Sequence, residues 1–320
     1  MQKNIHFIRK KHIRSGIDGP NVLLTAGVHG DEYEPMLTAL DLVKELPRNL
    51  TNGSVTIVTT VNESAYSAST RYGSDGLDLA RICPGNLQGT VSEIAAAQIS
   101  SLIREADYFV DMHTGGLMYD IAPLAGYMLH PSSDILKKQW QMALAYDLPI
   151  IWGTDYRPNG RTLSVARDAG VPAIYLEYGG GSGIRWEVVR AYKDGFLNLL
   201  KSLGMIDQPV ESQPMEKCYW VEDHRTNSGY LQGKMPAPAD GIFISEIKLG
   251  EIVQKGQRWG KIVDPFNGNS VDVLADISGL AFLKRVIVKV KKGDALGGIL
   301  PVEKPGIKVV YDNGKVRSSS

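Results

Sequence analysis

Apolar positions along the chain recur in two rhythms, and the alternation of those rhythms outlines the fold. Residues 21–28, Asn-Val-Leu-Leu-Thr-Ala-Gly-Val, form the short unbroken apolar run of a buried strand. Across 34–46, Leu37, Leu40, Leu42, Val43 and Leu46 are spaced to face a core from one side of a helix. Residues 55–61 are β-branched and predict a second strand. Residues 62–90 are rich in Ser, Gly, Asp, Asn and Arg, which suits a long functional loop. Beyond it the pattern predicts helix over 91–106, strand over 108–112, helix over 133–146, strand over 173–176 and an amphipathic helix over 186–203. Strands alternating with helices give an α/β fold with a mostly parallel sheet.

The rhythm changes near 204–217, where Pro, Gln, Ser and Asp predict a linker, and no long helical pattern follows. We therefore expect two domains, residues 1–206 and residues 207–320. Two stretches in the second part resemble each other: Ala239-Asp240-Gly241-Ile242-Phe243 through Lys261-Ile262, and Ile277-Ser278-Gly279-Leu280-Ala281 through Gly298-Ile299. Each copy runs turn-glycine, alternating strand, Lys-Gly turn, short strand. Two copies are too few for a solenoid. The pattern resembles the small all-β sandwich of biotinyl/lipoyl-type domains, which carry a prosthetic group on a lysine at the central hairpin. Here that hairpin is Phe266-Asn267-Gly268-Asn269-Ser270, without lysine, so a static β domain is expected rather than a swinging arm.

Lys+Arg and Asp+Glu both number 35, so no net charge draws the chain to nucleic acid or to an anionic membrane. No apolar run approaches the ~20 residues of a membrane helix, and residues 1–6 lack the apolar stretch of a secretory signal. Cys83 and Cys218 form no ligand spacing and read as reduced thiols of a cytoplasmic protein.

Candidate chemistry gathers just past the predicted strand ends, where open α/β sheets place their ligands. Gly27-Val28-His29-Gly30-Asp31-Glu32 sets an imidazole and a carboxylate three residues apart, on one side of a turn entering a helix. Asp111-Met112-His113-Thr114-Gly115-Gly116 adds a second imidazole, with Asp111 placed by strand alternation to orient it. His29, Glu32 and His113 make a ligand set that suits a catalytic zinc ion. Glu177 follows the strand Ala-Ile-Tyr-Leu and precedes Tyr178-Gly179-Gly180-Gly181, a place from which a partly desolvated carboxylate can act as general base. No GxxxxGK[ST] accompanies those glycines, so a phosphate loop is set aside. Arg71 and Arg81 flank residues 72–80 and suit an oxyanion and a substrate carboxylate.

In that order, GxHGDE, an arginine-bearing loop ending in Pro84-Gly85, DxHTG and a strand-end glutamate, the chain resembles the succinylglutamate desuccinylase/aspartoacylase family of the zinc-carboxypeptidase superfamily. The resemblance runs over roughly residues 20–300. It implies a three-layer zinc-carboxypeptidase-like domain and one Zn2+ on His29, Glu32 and His113. It also implies Glu177 as base, Arg71 polarising the substrate carbonyl and Arg81 on a substrate carboxylate. The family's Asn-Pro after the second strand is Asn62-Glu63 here, with Asn62 expected on the substrate. Ala80 stands where the family has asparagine, which removes a carboxylate-gripping amide and points to another substrate, such as an N-acetylated diamino acid. The expectation is a zinc-dependent amidohydrolase for a small N-acyl amino acid. The competing readings are a zinc carboxypeptidase on short peptides and a non-catalytic metal- or metabolite-binding protein. A homo-oligomer rests on analogy of fold alone.

Overall fold

In a computed structural model of the protein, residues 8–210, 217–231, 234–312 and 315–319 are described. The opening six residues and positions 211–216 of the expected linker lie outside them. The first half alternates strand and helix: β1 (Lys11–Arg14), β2 (Asn21–Thr25), α1 (Tyr33–Asn49), β3 (Ser54–Val58), α2 (Glu63–Ala68), α3 (Val91–Arg104) and β4 (Tyr108–His113). Then come β5 (Tyr119–Met128), α4 (Ser133–Ala145), β6 (Ile150–Thr154), α5 (Thr162–Ala169), β7 (Ala173–Gly179) and α6 (Trp186–Ser202).

Strands β3, β2, β4 and β7 lie parallel to one another, β5 runs antiparallel to β7, and β6 lies parallel to β5. The sheet is mixed because β5 returns directly from β4 to pair with β7 without a crossover helix. Helices α1, α4 and α6 bury Leu42, Met142, Tyr192 and Phe196 against one face. Helices α3 and α5 bury Ile99, Ile103, Leu163 and Val165 against the other, which gives three layers. The predicted loop 62–90 also carries structure: α2, capped by Asn62, and a 3-10 turn over Leu79–Arg81.

Beyond residue 207 the named elements among the described residues are strands: β8 (Tyr219–Asp223), β9 (Gly241–Ser245), β10 (Ile252–Val253), β11 (Arg258–Val263), β12 (Ser270–Leu274), β13 (Gly279–Arg285), β14 (Lys289–Val290), β15 (Gly297–Leu300), β16 (Lys308–Asp312) and β17 (Lys315–Ser319). The internal repeat is visible in space, with β9–β10–β11 answering to β13–β14–β15. The two copies exchange their short strands, β10 pairing with β13 and β14 with β9. Phe243, Trp259, Ile262, Val273, Ala281, Leu296 and Ile299 pack between them. An antiparallel sheet β12-β11-β9-β14 stands apart, but the boundary near 206 does not separate the sheets. β8 lies parallel to β6, β16 to β8, and β13 pairs with β5, so strands from both parts share one hydrogen-bonded sheet. Among the described residues no helix is long and apolar enough to cross a membrane.

Candidate active site

The ends of β2, β4 and β7 converge because these strands are neighbours in the sheet, with His113 the last residue of β4 and Glu177 near the end of β7. His113 stands directly opposite Glu177 in the β4–β7 ladder. After β2 the chain turns through Gly27 to His29 and enters α1, with Glu32 as the residue before its first turn. Gly30 sits so close to α2 that a Cβ would lie 2.0 Å from the Ala65 carbonyl, so this turn accepts only glycine. The same contact brings in the next loop, with Gly30 N–H donating to Thr70 C=O at 2.9 Å beside Arg71.

Glu32 is the hub. Its Oε1 lies 2.6 Å from His29 Nδ1 and its Oε2 lies 2.9 Å from His113 Nδ1. All three residues are buried, and their donor atoms fall within 4.8 Å of one another. Burial works against the charge on Glu32, but the two imidazoles hold its pKa at about 2. Burial likewise opposes the His113 cation, and Asp111 with Glu32 raises its pKa well above the ordinary value. A carboxylate set between two imidazole nitrogens offers three donor atoms that could hold a metal ion, and such ligands shed protons to bind one.

The second nitrogens are held as well. His113 Nε2 meets Asp111 Oδ2 at 3.1 Å, as alternation along β4 predicts. Asp111 is fixed in turn by the hydroxyls of Thr25 and Thr162, which donate at 2.6 and 2.5 Å. His29 Nε2 meets Asp78 Oδ1 at 3.3 Å. Carboxylates behind metal-ligating histidines set ring orientation and basicity. The donor set and its supports therefore fit a zinc ion.

Glu177 lines one cleft with His29, His113, Arg71, Arg81, Arg161 and Tyr175. Its Oε2 is sealed from bulk solvent and has no hydrogen-bond partner. Burial is the main cause that pushes its pKa up, to about 8. His113 and Arg71 pull it down, while Glu32 and Asp111 add to the rise. Arg71 donates from Nε to Asp78 Oδ2 at 2.9 Å, and its Nη1 lies 3.5 Å from His29 Nδ1. Burial opposes that cation too, but Asp78 and Glu32 keep it charged. Arg81 lines the same cleft, with its guanidinium 5.4 Å from the centre of the Tyr230 ring.

Six of the seven residues singled out in the sequence thus meet around one space. Asn62 does not. Its Oδ1 accepts from Ala65 N–H at 3.2 Å and from the Ser64 hydroxyl at 2.8 Å, and its Nδ2 donates to Ser92 at 3.2 Å. Capping α2 occupies the amide that was expected on a substrate. Two residues that the sequence reading passed over do belong here. Asp78 ties His29 to Arg71, and Arg161 lines the cleft as the residue before α5. Asp78 has only a capping signal, while a cation at a helix N-terminus is a local oddity that marks Arg161.

The catalytic-domain profile of the succinylglutamate desuccinylase/aspartoacylase family matches residues 18–203. The chain is 27% identical over 290 residues to the N-alpha-acetyl-L-2,4-diaminobutyric acid deacetylase of Halomonas elongata, covering 89% of this chain and 83% of that one. Among solved structures it is similar to a succinylglutamate desuccinylase/aspartoacylase from Rhodobacter sphaeroides, with TM-score 0.81 and 29% identity over 92% of this chain and 89% of that one. It is also similar to the product-bound ectoine utilization protein EutE (DoeB) of Ruegeria pomeroyi, with TM-score 0.83 and 25% identity over 92% and 88%.

Proposed function

Because the chain belongs to the succinylglutamate desuccinylase/aspartoacylase family, we propose that it hydrolyses the amide bond of a small N-acylated amino acid. In this reading His29, Glu32 and His113 hold a zinc ion and Glu177 is the general base. The observation that carries it is the unpartnered Glu177 Oε2 in the cleft that His29 and His113 also line. A zinc ion supplies, at such a site, a Lewis acid for the acyl oxygen and a more acidic water.

The side chains do the rest. Glu177 takes a proton from the attacking water as the water oxygen bonds to the acyl carbon. Its raised pKa makes it a better base than an ordinary carboxylate. The acyl oxygen gains negative charge in that step. Arg71, held at Nε by Asp78 and with Nη1 beside His29, has Nη2 left to donate to that oxygen. The C–N bond then breaks, Glu177 returns its proton to the departing nitrogen, and the products are a carboxylate and a free amine. Arg81 holds the carboxylate of the amino-acid half.

The test is a deacylation screen over acetyl, succinyl and aspartyl amides of amino acids, with a short peptide alongside and the metal content quantified. Release of free amine, abolished by chelation and restored by zinc, is expected. Cleavage of the peptide alone, or turnover indifferent to chelation, would overturn the assignment.

A further inference from the structure

Tyr175 lines the cleft, and the reaction above gives it no part. It stands two residues before Glu177 on β7, so strand alternation turns both side chains to one face of the sheet. Its cross-strand partner on β5 is Gly126. A Cβ on Gly126 would lie 2.0 Å from Cζ, 2.3 Å from Cε1 and 2.4 Å from the hydroxyl oxygen of Tyr175. The outer end of the ring therefore lies across the bare backbone of β5, in space that a side chain would fill. Glycine inside a strand weakens it and marks a close approach of this kind. The Tyr175 hydroxyl is sealed from solvent without a hydrogen-bond partner, while the residue as a whole stays partly exposed. With one side of the ring on Gly126 and its tip buried, the open surface is the one toward the cleft.

The same wall continues along β5 and β6. Met128, two residues on from Gly126, pairs with Thr154 at the end of β6, and both line the cleft. A Cβ on Gly229 would lie 3.2 Å from Thr154 Cβ. The next residue, Tyr230, has the Arg81 guanidinium 5.4 Å from its ring centre. Tyr175 and Gly126 thus belong to the wall that runs round to Arg81, where the amino-acid half of a substrate would lie. A ring resting on backbone cannot retreat from a ligand, and a wall that cannot yield makes each surplus carbon a strained fit.

We propose that Tyr175, backed by Gly126, is a specificity-determining floor that limits the amino-acid half of the substrate to a short side chain. The proposal rests on the deacylase reading for which half of the ligand lies there.

The two residues allow substitutions of opposite sign. The preference for N-acetyl-L-alanine over N-acetyl-L-leucine is read as a ratio of Kd by calorimetry on zinc-loaded Glu177→Gln protein, and as a ratio of kcat/KM with Glu177 intact. With Tyr175 and Gly126 in place, the alanine ligand should be favoured by at least about tenfold, the least that one methylene is worth in a closed pocket. Tyr175→Ala removes the floor and should cut that preference by about tenfold. Gly126→Ala pushes the end of the ring into the cleft and should widen it by about tenfold. Added to Tyr175→Ala, Gly126→Ala should no longer widen it, because there is no ring to push. Tyr175→Phe keeps the ring and loses a hydroxyl that has no partner, so it should fold and keep the preference. Absence of the preference, its survival unchanged in both Tyr175→Ala and Gly126→Ala, or its narrowing by Gly126→Ala would each overturn the floor. If Tyr175→Ala fails to fold, Gly126→Ala still decides, since it leaves Tyr175 in place. Size selection in binding that answers to these substitutions, without turnover, would support the floor and sink the deacylase reading. Turnover without size selection would do the reverse, and binding of neither ligand would overturn both.

Discussion

Glutamine in place of Glu177 keeps the shape of the side chain and removes its ability to ionise. The structure makes that a stability experiment as well as a kinetic one. Burial moves the Glu177 carboxyl from an ordinary 4.5 to about 8 in the folded, metal-free chain. Below pH 4.5 the group is protonated whether the chain is folded or not, and it contributes no pH dependence. Between 4.5 and 8 the unfolded chain releases the proton and the folded chain keeps it, so stability falls as pH rises. Above 8 both states are ionised and the loss is complete. At about 1.4 kcal/mol per tenfold, the undiscounted loss is about 3 kcal/mol at pH 7 and under about 1 kcal/mol at pH 5. Part of the side chain meets the water of the cleft, so about 1–2 kcal/mol at pH 7 is the expected figure. Glutamine escapes the loss. Chemical denaturation of chelator-treated wild type and Glu177→Gln should show the variant more stable at pH 7, with the gap nearly closed at pH 5. Deacylation by the variant should be lost. A gap of the same size at both pH values, or a variant less stable at pH 7, would refute the claim that Glu177 is held against its preferred charge.

Asp111→Asn should weaken zinc binding by about 10- to 100-fold, because it loosens the carboxylate that fixes His113; competition with a chromophoric chelator measures it, and unchanged affinity would remove Asp111 from the site. Arg71→Ala should lower kcat by about 10²- to 10³-fold with little change in KM; a pure KM effect would make Arg71 a binding residue. Asn62→Ala should cost about 1–2 kcal/mol of stability by uncapping α2 and leave KM unchanged, and a raised KM would restore Asn62 to the substrate.

The strands and helices that carry the site are legible because each has one clear rhythm. β2, β4, α1 and α6 fall within a few residues of their predicted spans. α1 runs three residues past the expected Leu46, closing where Leu50 N–H donates to Leu46 C=O. β5, β6 and α5 are not legible. β5 holds Pro123, which argues against a central strand. The structure accommodates it where the β5–β7 register slips between Ile121 and Leu124. β6 is five residues and α5 eight, too short for periodicity to separate strand from helix. The sharing of one sheet by the two parts of the chain is invisible for another reason. β8 and β16 are strands of five residues each, and nothing local says which sheet edge they join.

The site divides along the same line. His29, Glu32, His113 and Glu177 stand at the ends of regular elements, so the sequence that builds the strands also delivers the donors. Asp111 is legible because strand alternation fixes its side relative to His113. Asp78 is not, because its value lies in closing a gap of 49 residues to His29 while it also holds Arg71. Thr162 reaches Asp111 across 51 residues in the same way. Asn62 misleads for a local reason, since an asparagine ahead of a helix is strongly favoured as a cap whether or not a substrate is near. Arg161 is the instructive opposite. The position before a helix rejects arginine, so its presence there is a conflict between local preference and the whole. A cap that satisfies its helix needs no further explanation, and one that offends it points beyond the helix, here to the cleft that Arg161 lines.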